Sequence, residues 1–334
     1  MSQLLAINDK DQLLDLTYCD DLSAAEYDNL SRHNPDALWI VIEQKRIVAH
    51  CALWWRKVPA LPHQRAGIIG CYAARDEASG LKLLDYACRE LALQGCTLAV
   101  GPMDGNTWHR YRFITERGEK PSFFLEPDNA DQWPQHFIEA GFTPLAFYSS
   151  ILCTDPTRED PRIPAVAARL AATGTTLRSL RMENVRKELQ AIYAACIRSF
   201  HNNFLYSPIT EDEFVEQYAA VLPFVRPDLV LLAEREGQLV GFSFAVPDVL
   251  QAQRGRKIDT VILKTVAVLP GRNYAGLGNL LTVRTHTIAR DMGFTRVIHA
   301  LMHEDNASRI ISEYYGHPMR RYALYSRPLQ QDMQ

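Results

Sequence analysis

Two stretches of chain with the same order of predicted elements, parted by one proline-dense segment, limit this protein more than any other feature of its sequence. The parting segment is 154–164, where Asp155-Pro156, Asp160-Pro161 and Pro164 stand among charged residues. Proline has no amide proton, and the residue before it avoids the helical region, so regular structure is expected to stop there. After it come a strand at 176–180, helices at 182–200 and 211–222, and strands at 229–234 and 239–246 turning at Glu236-Gly237. A strand at 260–268 is apolar enough to be buried on both faces. It leads to a helix at 276–292, a strand at 297–301, a helix at 306–315 capped by Asn306, and a last strand at 321–326. Before the segment, strands at 37–42 and 47–55, a strand at 66–73, a helix at 81–93, a strand at 96–100, a helix at 132–140 and a strand at 145–152 repeat that order. Such alternation predicts an α/β fold, a mixed sheet with helices on its faces, built twice. The expected units are 1–153 and 174–330, with 154–173 as linker.

A chain of 334 residues, 47% hydrophobic and 22% charged, can bury two cores of that size. A net charge of −3 with no basic run gives no footing for nucleic acid. The longest apolar runs, 229–233 and 239–246, are strand-length, far below the ~20 residues of a membrane span. Residues 1–10 lack the basic and apolar regions of a secretory signal, so a cytoplasmic protein is expected. The cysteines at 19, 51, 71, 88, 96, 153 and 196 form no C-x-x-C pair and read as reduced core thiols. His299 and His303 stand four apart at a strand exit, without H-E-x-x-H, and read as structural; no metal is expected.

The segment 265–281 carries the chemistry. A buried strand enters a tight loop holding Gly276 and Gly278, and the loop opens directly into a helix. A first helical turn offers unpaired N–H groups and the positive end of the dipole, and glycine lets an oxyanion approach the backbone. A P-loop would need Lys followed by Ser or Thr after Gly276, where the chain has Leu277-Gly278; a dinucleotide fingerprint would need glycine at 281, which is leucine. What remains is a pyrophosphate loop without a lysine.

With Val268-x-Pro270 at the strand exit and Gly276-x-Gly278 at the helix, the segment resembles motif A of the GNAT acetyltransferase superfamily. Where that family carries Gln or Arg, this chain has Asn273, with Arg272 one place earlier. The run from Asn306 to Gly316, followed by Tyr322 to Tyr325, resembles the family's motif B helix and closing strand. The resemblance implies two GNAT-like acyl-CoA N-acyltransferase folds in tandem, the second binding acetyl-CoA or another acyl-CoA as co-substrate. It implies that Val266, Ala267, Val268, Asn273, Tyr274, Ala275, Gly276, Leu277, Gly278, Asn279 and Asn306 contact the cofactor. It also implies a backbone N–H near Val268 as donor to the thioester oxyanion, and a general acid near Ser312, which holds the family's tyrosine position, or at neighbouring Tyr314 or Tyr315.

In the first half the loop 74–80 lacks Gly-x-Gly and carries Asp76 and Glu77 where phosphate would sit, so a GNAT-like unit without a cofactor site is expected. Two loops suit the acceptor: 200–208, with Asn203 and Tyr206, and 101–112, whose Arg112 suits a carboxylate or phosphate. The strand at 260–268 carries no glutamate to serve as base. The expected activity is acyl-CoA-dependent transfer, in the first instance of acetyl, to the amine of a small molecule. Two readings stay open beside it: a longer-chain N-acyltransferase fed by acyl-CoA or acyl carrier protein, and a non-catalytic acyl-CoA sensor.

Overall fold

A computed structural model describes residues 2–7, 10–13, 16–18 and 33–330; Cys19 lies outside these. Before the proline-dense segment the strands are β1 (Gln3–Ile7), β2 (Thr17–Tyr18), β3 (Ala37–Glu43), β4 (Arg46–Trp54), β5 (Ala66–Ala74), β6 (Leu98–Gly101), β7 (Phe113–Glu116) and β8 (Thr143–Cys153). After it come β9 (Thr176–Ser179), β10 (Val230–Arg235), β11 (Gln238–Pro247), β12 (Thr260–Val268), β13 (Arg296–His303) and β14 (His317–Pro328). The helices are α1 (Glu77–Leu93), α2 (Trp133–Glu139), α3 (Ile163–Ala172), α4 (Val185–Phe200), α5 (Glu211–Ala219), α6 (Leu250–Gln253), α7 (Leu277–Asp291) and α8 (Ala307–Tyr315). The architecture is the predicted mixed α/β one, and every predicted element is present.

Each half contains a two-residue hairpin. Glu236 and Gly237 have φ of 53° and 74°, and Gln44 and Lys45 have φ of 48° and 65°. Both central residues are left-handed, the turn whose twist matches paired strands. The first half makes it without glycine.

All fourteen strands among the described residues join one sheet, in the order β1-β3-β4-β5-β6-β14-β8-β13-β12-β11-β10-β9, with β2 on β4 and β7 on β14. The middle of that order is crossed. Strand β14, the last of the chain, pairs with β6 and β7 of the first half, while β8 of the first half pairs with β13 of the second. The two exchanged strands also pair with each other, from His317 opposite Leu152 to Ser326 opposite Thr143. At the start of β14, a Cβ on Gly316 would stand 2.3 Å from the Leu152 carbonyl oxygen, so the close approach of β8 requires glycine there. The chain therefore parts in sequence at the prolines while its sheet runs through.

The prolines themselves act differently along the segment. No helix or strand forms over 154–162, but Pro164 stands in the first turn of α3, where a missing amide proton costs nothing. Helix α3 was not predicted; it buries Ile163 and Leu170 and packs on α7. The cores interlock too. Phe123 of the first half is buried in the second half's core, and Leu205 of the second in the first half's. Six cysteines, 51, 71, 88, 96, 153 and 196, are buried and free. No helix among the described residues is long and apolar enough to cross a membrane.

Candidate active site

The site begins with a defect in β12. On one flank β12 pairs in parallel with β13 only from Thr260 opposite Arg296 to Leu263 opposite His299. On the other, its ladder with β11 skips from Leu263 opposite Ala245 to Thr265 opposite Phe244, leaving Lys264 as the extra residue of a bulge. A bulge bends the strand and ends regular pairing. Strand β13 meanwhile stays paired with β8 on its other flank, from Val297 opposite Cys153 to His303 opposite Tyr148, with a register shift between His299 and Met302. A wedge opens between 264–268 and 300–303. Because successive strand residues aim their backbone groups to opposite sides, alternate N–H groups of 264–268 face that wedge.

One wall of the wedge is the start of α7. Gly276 is its N-cap, left-handed at φ 81°, and no side chain caps the first turn. A Cβ on Gly276 would stand 2.9 Å from Val166 of α3. Gly278 differs: a Cβ there would meet only Val266 and Val268, at an ordinary 3.8 Å. Packing does not demand glycine at 278, and the space beside it belongs to the cavity. Helix α3 also brings Arg169, whose Nη2 donates to the Ala275 carbonyl, next to exposed Arg272.

The predicted cofactor residues divide on this geometry. Val266, Val268, Gly278 and Asn306 line the cavity. Ala267 and Leu277 are buried in the protein core, and Asn273, Tyr274 and Ala275 form the turn ahead of α7, outside the cavity wall. Asn279 is tied up inside the protein: its Nδ2 donates to Asp160 at 2.7 Å, and its Oδ1 accepts from the Tyr315 hydroxyl at 2.9 Å. Asp160 is held well below the usual carboxylate range by the Arg162 guanidinium. Asn306 precedes α8 as predicted, but its side chain makes no capping bond.

Helix α8 settles where the predicted acids lie. Tyr314 is outside the cavity, its hydroxyl donating to the Glu159 carbonyl at 3.1 Å. Tyr315 faces α7 instead, and burial pushes its hydroxyl up to about 12. Ser312 does line the cavity. Its Oγ lies 2.7 Å from His299 Nδ1 and 3.1 Å from Met302 Sδ, and His299 Nε2 lies 2.7 Å from His286 Nε2. Burial lowers both imidazoles, His286 to about 4, so they are neutral near pH 7. One arrangement gives every proton an acceptor: His286 Nε2–H to His299 Nε2, His299 Nδ1–H to Ser312 Oγ, and Ser312 O–H to Met302 Sδ. It leaves only the lone pair of His286 Nδ1 unmet, which costs less than a stranded donor. Sequence spacing could not show this chain, since His286 and His299 meet only when α7 packs on the sheet.

The cavity itself, about 1160 Å³, lies between the halves. Arg112, Asn203 and Tyr206, the three predicted acceptor residues, all line it. The insertion at 102–131, between β6 and α2, closes it from the first half. Trp108 donates from Nε1 to the Ser207 carbonyl at 2.8 Å and packs on Phe200, Tyr206 and Phe214. The Arg112 guanidinium lies between the rings of Tyr111 and Tyr148, 3.9 and 4.2 Å from their centres. Lys264 reaches in from the bulge, and its Nζ donates to the Leu125 carbonyl at 3.2 Å. Burial, aided by Arg112, lowers its ammonium to about 7. By area Lys264 is only half-buried, because the cavity admits water, but protein surrounds it. Glu126 accepts from the Tyr322 hydroxyl, from Arg320 Nη1 at 3.2 Å and from the Phe123 amide at 3.1 Å. Lys264 and Glu126 were not foreseen as cavity residues; they meet there only because 118–127 crosses to the second half.

The first half repeats the defect and fills it. Strand β5 pairs in parallel with β6 only over Ala66 to Ile68, and its ladder with β4 is interrupted at Cys71, whose φ is 47°. Here the chain's own segment occupies the wedge. The Met103 amide donates to Ile69 O at 2.9 Å, and a Cβ on Gly70 would stand 1.9 Å from the Met103 carbonyl oxygen. The amide freed at Cys71 donates to the Asp104 carboxylate at 2.6 Å. The first turn of α1 is capped by Asp76, which accepts from the Ser79 amide at 2.9 Å.

No protein-family model matches the chain, and no curated protein matches it. Solved structures do. A protein of unknown function from Enterococcus faecalis V583, described as a probable N-acyltransferase, aligns with 99% of this chain and 73% of its own at TM-score 0.58 and 9% identity. A tandem GNAT protein from the clavulanic acid biosynthesis pathway aligns over 99% of both chains at TM-score 0.51 and 14% identity. A GCN5-related glucosamine N-acetyltransferase region of a fungal multi-domain β-N-acetylglucosaminidase aligns with 98% of this chain at TM-score 0.57 and 12% identity. The chain spans 38% of that longer protein. At these identities the likeness is one of fold: the chain has the GNAT fold, twice in tandem.

Proposed function

We propose that the tandem GNAT fold of this chain is an acyl-CoA-dependent N-acyltransferase, in the first instance an N-acetyltransferase, acting directly on the amine of a small molecule. One observation carries the reading. The second half leaves its bulged wedge open, from an uncapped glycine helix start down to the cavity between the halves, where the first half plugs the same wedge with its own chain. The CoA diphosphate lies on the amides before α7, with Arg169 and Arg272 nearby. The thioester lies in the wedge, its carbonyl oxygen on an N–H of the 266–268 stretch, at Val268 in the simplest register.

The free amine in the cavity attacks the thioester carbon, a C–N bond forms as the carbonyl π pair moves onto oxygen, and that N–H stabilises the resulting oxyanion. As the oxyanion collapses, the C–S bond breaks and CoA leaves as thiolate. The amine gives its second proton to cavity water. Ser312 turns its hydroxyl from Met302 to the sulfur and donates a hydrogen bond to the thiolate, its oxygen held by His299. The displacement of Tyr314 from the cavity favours one other reading, a sensor that binds acyl-CoA without turning it over.

Acetyl-CoA and CoA are expected to raise the melting temperature, because a ligand of the folded state stabilises it by mass action. Acetyl-CoA with a panel of primary amines is expected to release thiol steadily, and a longer acyl chain to do so more slowly. A melting shift without thiol release identifies the sensor. Neither shift nor release at millimolar acetyl-CoA removes both readings.

A further inference from the structure

The charge of the cavity narrows the acceptor, and the inference rests on the acyltransferase reading above. Two cations stand in the cavity wall without a carboxylate of their own. Arg112 is buried in the corner formed by the Tyr111 and Tyr148 rings; its Nη1 donates to the Leu301 carbonyl at 3.2 Å, and its Nε has no hydrogen-bond partner. Lys264 meets the Leu125 carbonyl. The one carboxylate acting on Lys264, that of Glu126, is already engaged by Tyr322, by the Phe123 amide and by Arg320 in an ion pair with both side chains fully buried. Asp104, across the cavity, takes the Cys71 amide and faces Arg110. Cations drawn out of water onto carbonyl oxygens and ring faces, with no carboxylate of their own, are poorly compensated. An entering anion would offset that cost for both at once.

We infer that Arg112 and Lys264 together hold the carboxylate of the acceptor, so that its class is an amino acid or another amine carrying a carboxylate. With Nη1 tied to Leu301, Arg112 offers only part of its fork, and Lys264 supplies the second donor. Two donors from two elements suit the two oxygens of a carboxylate. Lys264 is the bulge residue itself, so a carboxylate resting on it leaves an amine two bonds away within reach of the wedge.

The pH dependence follows from what surrounds Lys264. Arg112 and Glu126 face it from the insertion. Tyr218 of α5 and His303 of β13 line the same cavity, and burial keeps both uncharged near pH 7 by raising the first and lowering the second. The anion pairs with the protonated lysine, so its affinity is full below about pH 7 and falls as pH rises above it.

The test uses the full chain, with and without CoA, and compares L-amino acids with their own carboxamides in melting shifts at about pH 6.5 and about pH 8.5. A carboxylate-bearing member is expected to stabilise while its carboxamide does not. Its apparent affinity is expected to fall roughly tenfold or more at the higher pH, and similarly in Lys264→Met, which keeps the length and apolar stem of the side chain. Arg112→Gln should match it where it folds. Equal response to acids and amides, a carboxylate response untouched by Lys264→Met, no response to any carboxylate at millimolar concentration, or a response to inorganic phosphate alone would overturn the assignment. Loss of the CoA response with the carboxylate response intact would instead strike the acyltransferase reading.

Discussion

The two halves of this protein carry the same strand defect and answer it in opposite ways. In each, a strand bulges, at Cys71 or at Lys264, and parts from its parallel neighbour. A buried amide without a partner costs about 1–3 kcal/mol, so each wedge must be answered somehow. The first half answers with its own chain: Met103 fills the gap, the Asp104 carboxylate takes the Cys71 amide, and Asp76 caps the helix start. The second half has neither plug nor cap. What the first half places in its wedge, a negatively charged oxygen on a freed strand amide and another at the helix start, is the chemistry the second is proposed to take from a bound thioester oxyanion and diphosphate.

The largest expected effect breaks the plug. Gly70→Ala drives a Cβ into the Met103 backbone and should cost about 4 kcal/mol or more, seen in urea unfolding. Wild-type stability in that variant would mean the first wedge is not filled as described. Acid separates the halves next. Burial pushes folded His286 down to about 4, below the ordinary imidazole value near 6.5, so the unfolded chain binds the extra proton between those values. Stability is intact above about pH 6.5 and falls as pH drops toward 4, by on the order of 3 kcal/mol. In the first half burial lowers His136 as well, but Glu77 and Asp76 oppose that shift. Hydrogen exchange should show the second half opening first; simultaneous opening would remove the distinction.

Gly278→Asp sharpens the contrast at the cofactor. The new carboxylate enters the wedge with room for its Cβ. CoA affinity should fall about 100-fold, or roughly 2.8 kcal/mol, with the unliganded melting temperature nearly unchanged. The smallest change is Asp76→Ala, which removes a helix cap for about 1 kcal/mol and should leave CoA affinity as it was. Weakened CoA binding there would place a cofactor in the first half.

How much of this was legible depended on whether the signal was local. Hairpin turns, the β-branched strand Thr260–Val268 and the glycine start of α7 each follow from neighbouring residues, and they stand where predicted. Ser312 also reached the cavity, one turn beyond Ser308 on the same helix face, and Asn306 reached it from the turn before the helix. Tyr314 did not, since two residues along a helix turn a side chain to another face. The exchange of β8 and β14 left no mark in sequence: both are closing strands with a buried middle, and nothing local says which neighbour each takes. Lys264 looked like an ordinary strand residue, because its burial comes from Leu125 and Glu126, more than a hundred residues earlier and in the other half. For the same reason Asn279 was read as a ligand contact, when Asp160 and Tyr315 had claimed it.

The contrast between the wedges is tested most directly by titrating CoA calorimetrically into the full chain and into Gly278→Asp. An open wedge in the second half and a plugged one in the first predict a single CoA per chain, lost in the variant. Two CoA molecules per chain, or one that Gly278→Asp leaves untouched, would contradict it.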